Sequence, residues 1–340
     1  MFFQALNKLD SPCYIVKKNP WKHLQIFLLC LLLVCFSFTS FIDFEGFLVG
    51  NYRNCRLLSE VESLNNSLKG VDALKTLRPE MPQGRIYPIH HIHIPKNSGT
   101  SLARMLEQYA PKDKRFCVRC KVGRECIEHF HSMKAEEITP CDILTTHMPF
   151  GFPERFQRKK SYFQIVILRD PLERAQSYYD YVKAQSGHRN YDDAMRNSIG
   201  KILKRSFLQP ASRRERASRY KLQFFNEQTW FLCGHKCDPG KMSLEKALSK
   251  AKQNLLKKCH FVGVTENLAP LLDRLRSVYS WLPADFELKN KHDKNHTTLL
   301  ADAEQIAIQL FWADIELYRE ATLISKVDSM NSKASSAVAS

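Results

Sequence analysis

Within the heptapeptide Pro95-Lys96-Asn97-Ser98-Gly99-Thr100-Ser101, one lysine, three hydroxyls and a glycine lie between an apolar run and a helical pattern. Those residue types at that spacing suit an anion. Gly99 lets the main chain come close, and the amides that open the following helix present positive dipole. Lys96 adds a full charge, and Ser98, Thr100 and Ser101 add donors. The loop is not a Gly-x4-Gly-Lys-Ser/Thr nucleotide loop, so the usual lysine and magnesium-binding hydroxyl are missing from their places. Taken alone, an ordinary strand-to-helix turn would read the same. A second group narrows the choice. Arg169 closes the apolar run Phe163–Leu168, and Ser177 follows eight residues later on the second turn of a helix. Guanidinium forks match phosphate oxygens, and open α/β sheets bind ligands at strand carboxyl ends. The alternative is a strand-end salt bridge beside a surface hydroxyl. His147 is the best candidate for a general base, since imidazole titrates near working pH. A hydrogen-bonded structural histidine is its competitor. His90, His91 and His93 alternate faces along one strand, cannot all reach one site, and read as structural. No cluster of carboxylates at metal-ligand spacing is evident, and no metal is expected.

Strands and helices must position these groups. Arg85–Ile94 reads as a strand, and a helix follows from Ser101 to Tyr109. Phe163–Leu168 (FQIVIL) is continuously apolar, as in a central parallel strand covered on both faces. Asp170-Pro171-Leu172-Glu173 is a helix start, with Asp at the N-cap, Pro at the first position and Glu at the third; the helix should reach about Ala184. Cys141-Asp142-Ile143-Leu144 leans apolar and would be a strand ending at His147. Further helices are expected at 243–258, 267–280 and 301–325, and a short buried strand at His260–Val264. Alternating strands and helices predict an α/β fold with a central parallel sheet and flanking helices.

The chain has 340 residues, 44% hydrophobic and 25% charged, which is compatible with a packed core and excludes wholesale disorder. Lys and Arg number 51 against 35 Asp and Glu, a net charge of +16. Such a balance calls for a polyanionic partner. Leu24–Ile42 (LQIFLLCLLLVCFSFTSFI) carries no charge over nineteen residues, enough to cross a bilayer with slight thinning. It is longer than most cleaved signal segments and ends in a poor cleavage site; a cleaved signal or a buried helix are the lesser readings. Lys8, Lys17, Lys18 and Lys22 precede the span, and Asp43 and Glu45 follow it, which puts the N-terminus in the cytosol and the rest in a lumen. That side of the membrane excludes nucleic acid as a partner and favours acidic glycans. Eleven cysteines agree with an oxidising compartment; eight of them (Cys55, Cys117, Cys120, Cys126, Cys141, Cys233, Cys237 and Cys259) are lumenal on this reading. Cys233 and Cys237 are close enough in sequence to pair. A zinc set at Cys117, Cys120 and Cys126 has loose spacing. Sequons stand at Asn65 and Asn295. The resulting plan is a cytoplasmic tail over 1–23, a transmembrane anchor over 24–42, a stem over 43–84 with a short amphipathic helix at Arg56–Leu68, a globular domain over 85–326 and a disordered tail over 327–340.

Together, the Pro95–Ser101 loop and the Arg169…Ser177 pair resemble the 5′-phosphosulfate loop and 3′-phosphate site of sulfotransferases that use 3′-phosphoadenosine-5′-phosphosulfate (PAPS). More narrowly, the chain resembles the Golgi heparan sulfate 2-O- and uronyl 2-O-sulfotransferases from about Ile89 to Glu320. Softer matches, in the right order, are Leu144–Phe150 (LTTHMPF), Trp230–His235 (WFLCGH), Phe261–Leu268 (FVGVTENL) and Lys291–Thr298 (KHDKNHTT). The chain departs from that family in a more basic insert at 180–225 and in its cysteine spacing. The resemblance implies a P-loop-like sulfotransferase fold, PAPS as co-substrate, a Golgi type II membrane protein and an acidic glycan acceptor, and it leaves a homo-oligomer open. It also implies that Lys96, Asn97, Ser98, Gly99, Thr100, Ser101, Arg169 and Ser177 bind the donor, and that His147 and Lys96 are catalytic.

Sulfuryl transfer is an in-line displacement. It needs two oxygens positioned and the spreading charge stabilised. Lys96 would stabilise the leaving 5′-phosphate, and His147 would take the acceptor proton. In the stretch Lys201–Lys221, Lys201, Lys204, Arg205, Arg213, Arg214, Arg216, Arg219 and Lys221 stand against Glu215 alone; they could steer a sulfated glycan or merely be solvated. The rival functions are a non-catalytic lumenal glycan-binding protein and a lumenal kinase or nucleotidase. The latter would want metal-binding carboxylates near the loop.

Overall fold

The computed structural model describes residues 78–79, 87–119, 141–155, 162–188, 190–208, 225–284 and 301–339. All belong to one compact unit, Gly70–Ser340. The expected anchor at Leu24–Ile42, the stem helix, Cys55, Cys120, Cys126, both sequons and the Lys291–Thr298 motif lie outside the described residues. Among the described residues, no helix is long and apolar enough to cross a membrane.

The fold is α/β. Five strands, β1 (Ile89–Ile92), β2 (Phe116–Arg119), β3 (Ile143–Thr146), β4 (Phe163–Leu168) and β5 (Cys259–Val264), form one sheet in the order β2-β3-β1-β4-β5. Every pairing is parallel; in register, Ile89 faces Ile143 on one side and Phe163 on the other. Helices cover both faces, which is why β4 reads as an unbroken apolar run. Its alternate residues serve two cores. Phe163, Ile165 and Ile167 join Ile89, Ile143 and Phe261 beneath α1 (Gly99–Tyr109) and α7 (Ala269–Val278). Val166 and Leu168 join Ile92, Val262 and Val264 beneath α5 (Glu227–Cys233), α6 (Leu244–Lys257) and α9 (Trp312–Ala339). Leu102, Met105 and Leu106, at i, i+3 and i+4 on α1, supply its buried stripe. A third cluster joins α2 (Pro171–Lys183), α3 (Tyr191–Arg196), α4 (Ile199–Leu208) and α8 (Ala301–Leu310).

Local chemistry explains most boundaries. Asp170 Oδ1 accepts from the main-chain N–H groups of Leu172 and Glu173, and Pro171 opens α2 where no N–H is wanted. β1 starts later than the Arg85–Ile94 expectation, because Pro88 has no N–H for the ladder. The C-terminal expectation is corrected more substantially. Instead of a disordered tail from Val327, α9 runs to Ala339. No Gly or Pro interrupts it, and its alanines, lysines and methionine favour helix. The domain edge at 326 also cuts through packed structure: Val327 is buried, and buried Asp328 pairs with Arg274 at 2.5 Å and Arg78 at 3.5 Å. Among the described residues two disulfides occur, Cys233–Cys237 and Cys117–Cys141. The second ties edge strand β2 to the residues entering β3 and takes Cys117 out of any zinc set. Cys259 is free and buried.

Candidate active site

All three polar groups singled out above sit at strand carboxyl ends. Lys96 follows β1, His147 follows β3 and Arg169 follows β4. From β1 the chain proceeds toward one edge of the sheet, and from β4 toward the other, so the segments leaving these neighbouring strands diverge. This divergence marks the topological switch point of the sheet, the place where open parallel sheets bind ligands.

The loop after β1 is shaped for an anion. Lys96 and Ser98 both adopt left-handed backbone, with φ of 69° and 57°. Left-handed residues interleaved along a loop turn successive N–H groups to one side and form an anion-holding concavity. Ser98 caps α1 with no side-chain bond to the helix, and the first turn carries no acidic residue, so its dipole is unopposed there. Gly99 is required by a close approach. A Cβ on it would lie 2.1 Å from Cδ2 of His93. Thr100 is exposed and Ser101 half-buried. The buried side chain of Asn97 donates to Ile167 O at 2.9 Å and to Gln228 Oε1 at 2.7 Å. It holds the loop, leaving its main chain for a ligand.

Lys96 has no carboxylate partner among the described residues. Its Nζ rests 4.6 Å over the Tyr181 ring. Burial, reinforced by the Arg169 charge and opposed by Asp180, holds its pKa below the ordinary lysine value. Arg169 is 4% exposed, reaches Lys96 O at 3.3 Å and Glu173 at 3.4 Å, and keeps a buried Nε with no partner. A second anion fits these incomplete donors. Ser177 lies between these two cations: Glu173, Ser177 and Tyr181 form one i, i+4 ridge on α2, touching Arg169 at one end and Lys96 at the other.

His147 donates from Nδ1 to His93 O at 2.7 Å, which leaves Nε2 unprotonated and with no hydrogen bond among the described residues. Burial lowers its pKa, partly offset by the bond to His93. The His93 ring packs on it at 4.1 Å, and the His91 ring stacks on His93 at 5.4 Å. His90, on the other face, bonds Gln164 at 2.8 Å and Thr146 at 2.9 Å. His235 contacts Phe150 O at 3.4 Å beside the Cys233–Cys237 loop. Sequence reasoning missed Tyr181, although its four-residue spacing from Ser177 was available. It also missed Gln228, which had no local signal, lying 131 residues from Asn97. From the basic stretch, Lys201, Lys204 and Arg205 are exposed on α4, with Arg205 paired to Asp193; Arg213 to Lys221 lie outside the described residues.

An anion-shaped loop, two partly desolvated cations and a neutral imidazole with an open nitrogen, all at the carboxyl end of the three central strands, are the parts that transfer of an anionic group requires. Residues 85–319 match the sulfotransferase family, and the chain belongs to it. It is a sulfotransferase enzyme, and its family implies a sulfonate donor such as PAPS. No individual curated protein matches the chain.

Proposed function

We propose that the protein transfers a sulfuryl group from PAPS to a hydroxyl of an acidic glycan, a glycosaminoglycan uronic acid or related sugar, in the Golgi lumen, anchored there by Leu24–Ile42. The observation that carries the donor assignment is the approach of Arg169 to the Lys96 loop between β1 and β4: among the described residues Lys96 has no carboxylate partner, and Arg169, although it reaches Glu173, keeps a buried Nε without a hydrogen bond. The loop amides and Lys96 would hold the 5′-phosphosulfate; Arg169 and Ser177 would hold the 3′-phosphate. His147 Nε2 takes the proton of the acceptor hydroxyl as its oxygen attacks sulfur. Lys96 Nζ neutralises charge on the 5′-phosphate oxygen that departs on the opposite side. The glycan assignment rests on the net charge of +16 and on the exposed Lys201 and Lys204 beside the basic segment that follows.

Incubating the full-length chain with PAPS labelled in its sulfuryl group and a panel of glycosaminoglycans tests this. Label is expected on a uronate-containing chain, and Lys96→Ala should lower the rate by about 100-fold or more, as when a transition-state contact is removed. Transfer to no glycan would overturn the acceptor class. A Lys96→Ala rate within a few-fold of wild type would overturn the role of Lys96.

A further inference from the structure

Gln228, in the first turn of α5, is fully buried. Its Oε1 accepts from Asn97 Nδ2 at 2.7 Å and from the main-chain N–H of Arg169 at 2.9 Å. Its Nε2 donates to the carbonyl of Arg169, also at 2.9 Å. One amide therefore satisfies both main-chain groups of Arg169 and grips the middle of the Pro95–Ser101 loop. Asn97 closes the circuit by donating to Ile167 O on β4 at 2.9 Å, two residues before Arg169. A primary amide is the group this geometry asks for. It needs an acceptor for two donors and, on the same plane, a donor for one acceptor.

Gln228 is itself firmly placed. Its main-chain N–H donates to Asp314 on α9 at 3.3 Å, and Thr229 donates to the same carboxylate through N at 2.7 Å and Oγ1 at 2.8 Å. The Asp314 N–H returns a bond to Asn226 Oδ1 at 3.0 Å. Glu227, next in sequence, is buried against Arg174 of α2. The start of α5 is thus pinned to two helices, and its side chain reaches two separate loops.

We infer that Gln228 is a positioning residue that fixes the distance between the Lys96 loop and Arg169, so that a ligand carrying two anionic groups meets both cations at once. The inference rests on the PAPS reading of the site. A nucleotide with phosphates on both 3′ and 5′ positions joins its two charges through one ribose. Gripping both is an intramolecular advantage that exists only while the two protein groups keep matching separation. Loosening the clamp removes that advantage and leaves the grip on a single phosphate.

Calorimetry on the full-length chain with adenosine 3′,5′-bisphosphate and adenosine 5′-monophosphate tests this, with thermal melting to establish that each variant is folded. Gln228→Ala should weaken the bisphosphate by about tenfold or more, the loss expected when buried donors lose their acceptor, while the monophosphate keeps its wild-type affinity. Gln228→Glu retains volume and the acceptor oxygen but loses the Nε2 donor, and should fall between wild type and Ala. It also serves if the Ala variant does not fold. A folded variant that binds the bisphosphate as wild type does, or that loses both ligands equally, overturns the clamp. A wild-type protein that binds neither nucleotide overturns the PAPS reading, and the inference falls with it.

Discussion

A general base must arrive neutral and with its lone pair toward the hydroxyl, and His147 gains both properties from its neighbours. The Nδ1 bond to His93 O selects the tautomer, and burial beside two other imidazoles opposes protonation. His147→Ala should therefore lower turnover by about 10²–10⁴, the range for one acid–base group, while the product nucleotide binds as in wild type. Initial rates and calorimetry separate the two; equal loss in both would make His147 structural. The acid limb of kcat/KM carries a second check. Because burial lowers the folded pKa, the base stays competent below the ordinary imidazole value of about 6.5, and activity should fall only as pH drops further. A limb above that value would contradict the described environment. At this scale the sequence was informative about type and not about state: it offered an imidazole at a strand end, whereas the tautomer depends on a carbonyl 54 residues away.

Elements translate such contacts into precision, and the β1–α1 turn shows how little slack there is. Gly99 has ordinary helical backbone; what it lacks is room. A methyl there would sit 2.1 Å from Cδ2 and 2.6 Å from Nε2 of His93, whose ring is held between His91 and His147. Gly99→Ala should lower the melting temperature, with overpacking of about 1–3 kcal/mol, and should lower turnover because His93 can yield only by moving His147. Scanning calorimetry and initial rates check both, and wild-type values in each would refute the packing argument. The sequence offered Gly99 as a point of main-chain approach to a ligand; the His93 ring that it accommodates could not be seen there. The same contrast runs through the fold. The apolar run of β4 and the Asp170-Pro171 start of α2 were legible because their causes are local. β2 and α5 were not: β2 is a short edge strand fastened by a disulfide across 24 residues, and α5 is held by Asp314 from the far end of the chain. The helix beyond Val327 was hidden for the opposite reason, its composition being as apt for helix as for disorder until Asp328 pairs with Arg274.

For the whole molecule, placing so many histidines inside one sheet couples stability to acidity. Burial lowers the pKa of His90 to about 4, of His91 to about 3 and of His260 to about 4, and lowers those of His93 and His147 as well. His91 is the extreme case, with both ring nitrogens buried and unpartnered. In the unfolded chain each would titrate near 6.5, so between roughly pH 6.5 and 4 the unfolded state binds more protons than the folded one. Stability must then fall as pH falls through that window. Two buried carboxyls work the other way: burial raises Glu227 and Asp314, with Arg174 opposing the rise, so the folded state retains protons the unfolded state would lose. Five imidazoles outweigh two carboxyls, and the net sign is acid destabilisation, about 1.4 kcal/mol per pH unit for each unbalanced proton. Scanning calorimetry from pH 7 to 5 should show a falling melting temperature, with net proton uptake on unfolding when buffers of different ionisation enthalpy are compared. A melting temperature that stays level or rises on acidification would mean that the histidines are not held neutral in the folded protein. The neutral His147 required for catalysis would then lose its physical basis along with them.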